Sequence, residues 1–118
     1  MWVSTNSINM DFSIYQLQAM RTAKPMEPAD DLMHAALGLS GEAGEFADAI
    51  KKHLVYGREL DRENAIEELG DVLWFVALGC NALGVSMADV AQGNIDKLRK
   101  RYPEKYDDEL AYKRMDKA

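Results

Sequence analysis

Cysteine is almost absent from this chain: Cys80 is the single one in 118 residues. No intrachain disulfide can form, and the paired-cysteine spacing of a structural zinc site is missing. Cys80 lies in an apolar run, where a buried and inert thiol is expected. Proline is scarce too, with only Pro25, Pro28 and Pro103, so long stretches are free to be helical and the breaks are marked. The two histidines, His34 and His53, read as structural or exposed. The longest apolar run, Val72 to Leu78, falls far short of the roughly 20 residues a membrane helix needs. Positive charge is in deficit, 14 Lys and Arg against 20 Asp and Glu, for a net charge of −6. That argues against a nucleic-acid polymer or an anionic membrane as partner. No basic start leads into an apolar core, so no signal peptide is expected and a reducing cytoplasm is the default location.

What the chain does have is helical patterning with acids set into it. Hydrophobic content of 47% and charged content of 29% suit a globular domain. We read residues 1–118 as one domain, with a core over about 13–103 and a charged tail over 104–118. Met1 to Met10 look like a loose lead-in. Asp11-Phe12-Ser13 opens a short first helix ending near Ala23, with Ser13 and Gln16 in a capping-box pattern. Lys24 to Pro28 breaks the chain. A second helix begins around Ala29 to Leu32 and runs to about Leu54, with Leu39, Ala43, Phe46 and Ile50 on one stripe and Glu42 and Glu45 on its flank beside Gly38 and Ala49. Gly38, Gly41 and Gly44 weaken this helix, and close approach of a backbone or ligand would explain them. Asp61 caps a third helix running to about Leu83, apolar nearly all round from Val72 onward and therefore central. Gly84 ends it. Ser86 caps a fourth helix with Met87, Val90, Ala91, Ile95, Leu98 and Tyr102 on its apolar side, and Pro103 stops it. The tail is either a short docking helix or frayed. The fold class is all-α, like a four-helix bundle.

Glu42 and Glu45 are three residues apart, and so are Glu68 and Asp71. On helices each pair shares a face. Both pairs sit among apolar residues, and clustered carboxylates must be protonated, paired with bases, or bound to a cation. Oxygen-only ligands without histidine or cysteine select a hard cation, Mg²⁺ or Mn²⁺. The di-iron bundles use Glu-x-x-His instead, a pattern missing here. A magnesium cluster suggests phosphate chemistry. Asn94, Lys97 and Arg101 line one edge of the fourth helix and supply hydrogen bonds and charge for a nucleotide. Lys51 and Lys52 add charge, and Trp74 or Tyr102 can stack a base. Against this stands a bland alternative: a structural bundle whose acids pair with lysine or arginine, and whose Trp74 and Phe75 are core. A module that binds a nucleotide without hydrolysing it is the other alternative.

These residues resemble the MazG-like, all-α nucleoside triphosphate pyrophosphohydrolases. The resemblance rests on Gly38-Leu39-Ser40-Gly41-Glu42-Ala43-Gly44-Glu45, Lys51-Lys52, Glu68-Leu69-Gly70-Asp71-Val72-Leu73-Trp74, and Asn94-Ile95-Asp96-Lys97-Leu98 leading to Arg101-Tyr102-Pro103. It covers about Ser13 to Pro103. It implies hydrolysis of a (d)NTP between the α and β phosphates, giving the monophosphate and pyrophosphate. It implies that Glu42, Glu45, Glu68 and Asp71 hold Mg²⁺, with Mn²⁺ a substitute, and that Glu42 or Glu45 orients the attacking water. It implies that Lys97 and Arg101, the basic residues of the last helix, contact the nucleotide, beside the substrate contacts read above at Lys52, Trp74, Asn94 and Tyr102, and that the protein is a homodimer or homotetramer with its site near a subunit interface. Two positions depart from the family pattern. Gly41 stands where many members have a glutamate, and Trp74-Phe75 where many carry an aromatic hydroxyl.

Overall fold

The structure is a computed structural model that describes residues 9–117, so most of the expected lead-in, Met1 to Met10, lies outside the described residues. It is all-helical among these residues: α1 Phe12–Met20, α2 Pro28–Leu54, α3 Arg62–Ala82, α4 Met87–Arg101 and α5 Asp108–Lys113, then a 3₁₀ turn at Met115–Lys117. The fifth, α5, lies in the tail, where the sequence left a short helix and a frayed end open. The chain divides into two units, up to Met87 and from Ala88 onward. No single described helix is long and apolar enough to cross a membrane.

In the first unit, α2 and α3 pair along their lengths and α1 packs on α3. Pro28 and the acids Asp30 and Asp31 start α2, as a fixed φ and the helix dipole favour. Asp61 caps α3 by accepting from the Asn64 N–H at 3.1 Å. Gly84, at φ +70°, turns the chain out of α3. The cap of α1 differs from expectation. Asp11, not Ser13, accepts from the Ile14 N–H at 2.8 Å, and the helix therefore begins at Phe12. This frees Gln16 for a long-range role. Its side chain donates to the Val85 carbonyl at 3.1 Å and accepts from the Met87 N–H at 2.7 Å, tying α1 to the turn between α3 and α4.

The core of this unit gathers Ala19, Ala77, Cys80 and Met87, with Tyr15, Met20, Leu73, Trp74 and Val76 packed around it. Cys80 is a free, buried thiol whose pKa burial pushes up. Leu78 is 1% exposed, the one large side chain sealed this completely among the described residues; its burial contributes about 1.5–3 kcal/mol. Trp74 secures α1, its indole N–H shared between the Ala19 carbonyl at 3.1 Å and the Thr22 hydroxyl at 2.9 Å.

The face that α2 turns to α3 is centred on small residues, and the expected stripe is only partly covered. Ala35 and Ala49 are buried, Phe46 and Ile50 are half-buried, and Leu39 and Ala43 are exposed. Small residues win because they let the helices approach: Ala35 meets Gly79, and a Cβ added to Gly38 would run into the Phe75 ring. Close approach therefore explains Gly38, but Gly41 and Gly44 have open space around them, and nothing in the structure accounts for these two. Gly38→Ala is expected to destabilise the protein by about 1–3 kcal/mol through overpacking against Phe75. Urea melts check this; an unchanged midpoint would show that the ring moves aside freely.

In the second unit the tail is folded. Asp107 caps α5 by accepting from the N–H groups of Glu109 and Leu110 at 2.9 and 3.1 Å. Arg114 ends α5 in the left-handed region, φ 52° and ψ 54°, which costs a non-glycine residue roughly 1–2 kcal/mol. The 3₁₀ turn follows. Its Asp116 side chain is fully buried and is held by Arg101 and Arg114.

Candidate metal centre

The α2–α3 register sets the site. Ala35 lies against Gly79 and Gly38 against Phe75, so moving forward along α2 means moving back along α3. One more turn places Glu42 across from Glu68 and Asp71. Carboxylate oxygens of these three residues all lie within 4.8 Å of one another. Glu42 and Glu68 are half-buried, whereas Asp71 is exposed. The fourth expected ligand, Glu45, is exposed and stands outside this triple, although its charge still reaches Glu68.

Electrostatics marks the centre of the cluster. The Glu68 pKa is raised to about 7, first by a hydrogen bond with Glu42 that requires a proton between them, then by burial, then by the charges of Glu42, Asp71 and Glu45. Glu68 Oε2 is buried and has no hydrogen-bond donor among the described residues. A carboxylate oxygen in that state is satisfied by a proton or a cation. No lysine or arginine among the described residues pairs with Glu68 or contributes to its shift, which counts against the salt-bridged reading of this acid. Three converging carboxylates and no nitrogen or sulfur donor in the cluster fit a hard divalent cation.

The other candidates are placed as follows. Lys52 lies on the exposed surface of α2, its Nζ 2.9 Å from Asp48, which Lys51 also approaches at 3.4 Å. Trp74 is committed by its N–H to α1 and stacks edge-on with Phe75 at 5.0 Å and His34 at 6.3 Å. Asn94, Lys97, Arg101 and Tyr102 belong to the second unit. There Asn94 and Lys97 are exposed. The Arg101 guanidinium is paired with Asp116, and its carbon lies 5.7 Å from the centre of the Tyr102 ring. The structure thus brings Glu42, Glu68 and Asp71 together and leaves Glu45 at their rim.

One neighbour of the acids was missed in the sequence. Tyr15 lines a cavity of about 260 Å³ with Met10, Asp11, Phe12 and Leu73. Burial, then the charge of Asp71, pushes its phenol pKa up. Nothing in the local sequence of α1 signals this proximity, because it arises from how α1 crosses α3.

Known proteins are similar to this chain. The profile of the MazG nucleotide pyrophosphohydrolase domain matches residues 32–106, a span that holds all four acids and every candidate substrate residue. The Gene 37 protein of Mycobacterium phage L5 is 38% identical over 102 residues, covering 78% of this chain and 89% of the phage protein. The uncharacterized protein YvdC of Bacillus subtilis (strain 168) is 33% identical over 73 residues, 54% of this chain and 69% of its own length. No solved structure matches the chain significantly.

Proposed function

The chain belongs to the MazG nucleotide pyrophosphohydrolase family, and from that membership we propose that it hydrolyses a nucleoside triphosphate between the α and β phosphates with Mg²⁺ as cofactor. The products are the monophosphate and pyrophosphate. The observation that carries this reading is the meeting of Glu42, Glu68 and Asp71, together with a buried Glu68 oxygen that has no donor among the described residues. Glu42, Glu68 and Asp71 hold the cation, with Glu45 at the edge as a further ligand or as a ligand for its water. A divalent ion bound there polarises phosphate oxygens and lowers the pKa of water. Glu42 or Glu45, whichever is held less tightly, orients the attacking water and accepts its proton. Lys97 and Arg101 hold the phosphates as negative charge moves to the departing pyrophosphate. Lys52, Asn94, Trp74 and Tyr102 are the further substrate contacts in this reading. A panel of nucleoside triphosphates incubated with Mg²⁺ tests it, with product identity read for each. Pyrophosphate and the matching monophosphate are expected from at least one; inorganic phosphate alone, or no product from any, would count against the proposal.

The same reading makes the protein a homodimer or homotetramer. Support comes from the exposed apolar side chains of α2, with Leu32 at 42%, Met33 at 64% and Leu37 at 68% exposure. A second copy is the natural cover for such a row. Light scattering should give at least twice the 13.3 kDa chain mass; a monomeric mass at micromolar concentration would overturn this.

A further inference from the structure

The last turn of α4 and the tail are joined by one buried carboxylate. Asp116 Oδ1 accepts from Arg101 Nε at 3.0 Å, and Oδ2 accepts from Arg101 Nη2 at 3.1 Å. Arg114 donates to the same two oxygens, both at 3.3 Å. The Asp116 side chain is 0% exposed and that of Arg101 is 18% exposed. Its two arginines hold the Asp116 carboxyl well below the usual carboxylate range. Reaching this geometry requires Arg114 to take the left-handed conformation, which non-glycine residues avoid unless surroundings enforce it.

A guanidinium has five N–H donors in a planar fork. Asp116 takes two of them along the Nε–Nη2 edge. The Nη1 donors and the second Nη2 donor are left by Asp116; the Tyr102 side chain also engages the guanidinium, and the edge these donors define is of the kind that matches two phosphate oxygens. The Tyr102 ring flanks the same guanidinium, so rotation about the last side-chain bonds is restricted from a second direction. Arg101 is thereby fixed on one edge and left with donors on the other.

We propose that Asp116 is a positioning residue, which locks the Arg101 guanidinium so that its remaining edge is presented to the phosphate chain of the substrate. This rests on the reading above that Arg101 contacts the triphosphate. An oriented fork spares the entropy of ordering a long side chain at the moment of binding. Local neutralisation by Asp116 weakens the long-range attraction of Arg101 for phosphate, so the arrangement favours geometry over raw charge.

The test is calorimetric titration of the full chain with Mg²⁺–tripolyphosphate, a probe that carries the phosphate chain but no base. Arg101→Ala is expected to weaken binding at least tenfold. Asp116→Asn should weaken it about five- to tenfold, Asp116→Glu less, and Arg101→Lys as much as Asp116→Asn, because lysine keeps the charge and loses the fork. In the Arg101→Ala background, Asp116→Asn should cause no further loss. Thermal melts accompany each variant, and Arg101→Lys carries the test if Asp116→Asn does not fold. Weaker binding by Arg101→Ala but unchanged binding by Asp116→Asn or Arg101→Lys would overturn the positioning role alone. Tighter binding by Asp116→Asn would overturn it in favour of a carboxylate that competes with phosphate. Unchanged binding by Arg101→Ala would remove Arg101 from the substrate site and the positioning role with it.

Discussion

Glu68→Gln is expected to reduce turnover by at least roughly 10²–10³-fold, the loss seen when one electrostatic contact to a reacting group is removed, while helix content stays the same. The substitution keeps the shape of the side chain and removes its charge. Glu68 belongs to the acid cluster and its pKa is raised by Glu42, Asp71 and Glu45 together, so an amide there deletes the candidate ligand on which these charges converge. The effect on stability should run the other way. Without metal, the variant escapes like-charge repulsion and its melting temperature should equal or exceed that of the unaltered protein. With Mg²⁺ the order should reverse, since the variant loses a ligand. A structural bundle held by these acids would behave differently, losing stability in both conditions. A Glu68→Gln variant with full activity would place the site elsewhere.

Metal-free protein should grow less stable as pH rises from about 5 to 8, and Mg²⁺ should reverse that slope. The sign follows from Glu68. Its pKa is about 7 in the folded chain against 4.5 for an unperturbed glutamate. Between these values the folded state binds more protons than the unfolded state, so the stabilising share is complete below the lower value and is lost as pH rises through the upper one. Asp116 adds no slope in this window, because its pKa is lowered by Arg101 and Arg114 and it stays ionised throughout. A bound cation takes the place of the proton, so its stabilisation grows with pH. At a Mg²⁺ concentration about 100 times its dissociation constant the gain is about 2.7 kcal/mol, or a rise on the order of 10 °C for a chain of this size. Melts with chelator and with Mg²⁺ across that range provide the measurement, with Glu68→Gln as control. Equal slopes in both proteins without metal, or a Mg²⁺ effect that ignores pH, would sink the account.

Both outcomes concern residues that were visible in the linear chain, since the spacing of Glu42 and Glu45, and of Glu68 and Asp71, needs only the helical period to be read. Much else was legible for the same reason. Asp61 at the start of α3, Gly84 at its end, the break before α2 and the central place of Val72 to Cys80 all follow from local rules of capping, backbone freedom and apolar content. These rules act within a few residues, and a single chain displays them directly.

Periodicity, however, says which residues share a face and not what will cover it. The stripe of Leu39, Ala43, Phe46 and Ile50 looked like the buried side of α2, yet only Phe46 and Ile50 are half-buried, and Ala35, Gly38 and Ala49 are the residues set closest to α3 because small side chains allow the nearer packing. That choice of face draws Glu42 inward and leaves Glu45 at the rim. The meeting of Glu42 with Glu68 and Asp71 depends on the register between two helices, as the closeness of Tyr15 to Asp71 depends on how α1 crosses α3. Asp116 reaches Arg101 across 15 positions only through the left-handed turn at Arg114. The kinds of side chain available for chemistry were therefore set by the order of residues, whereas which of them touch was decided by packing between elements, whose free energy belongs to pairs of surfaces and not to any one segment.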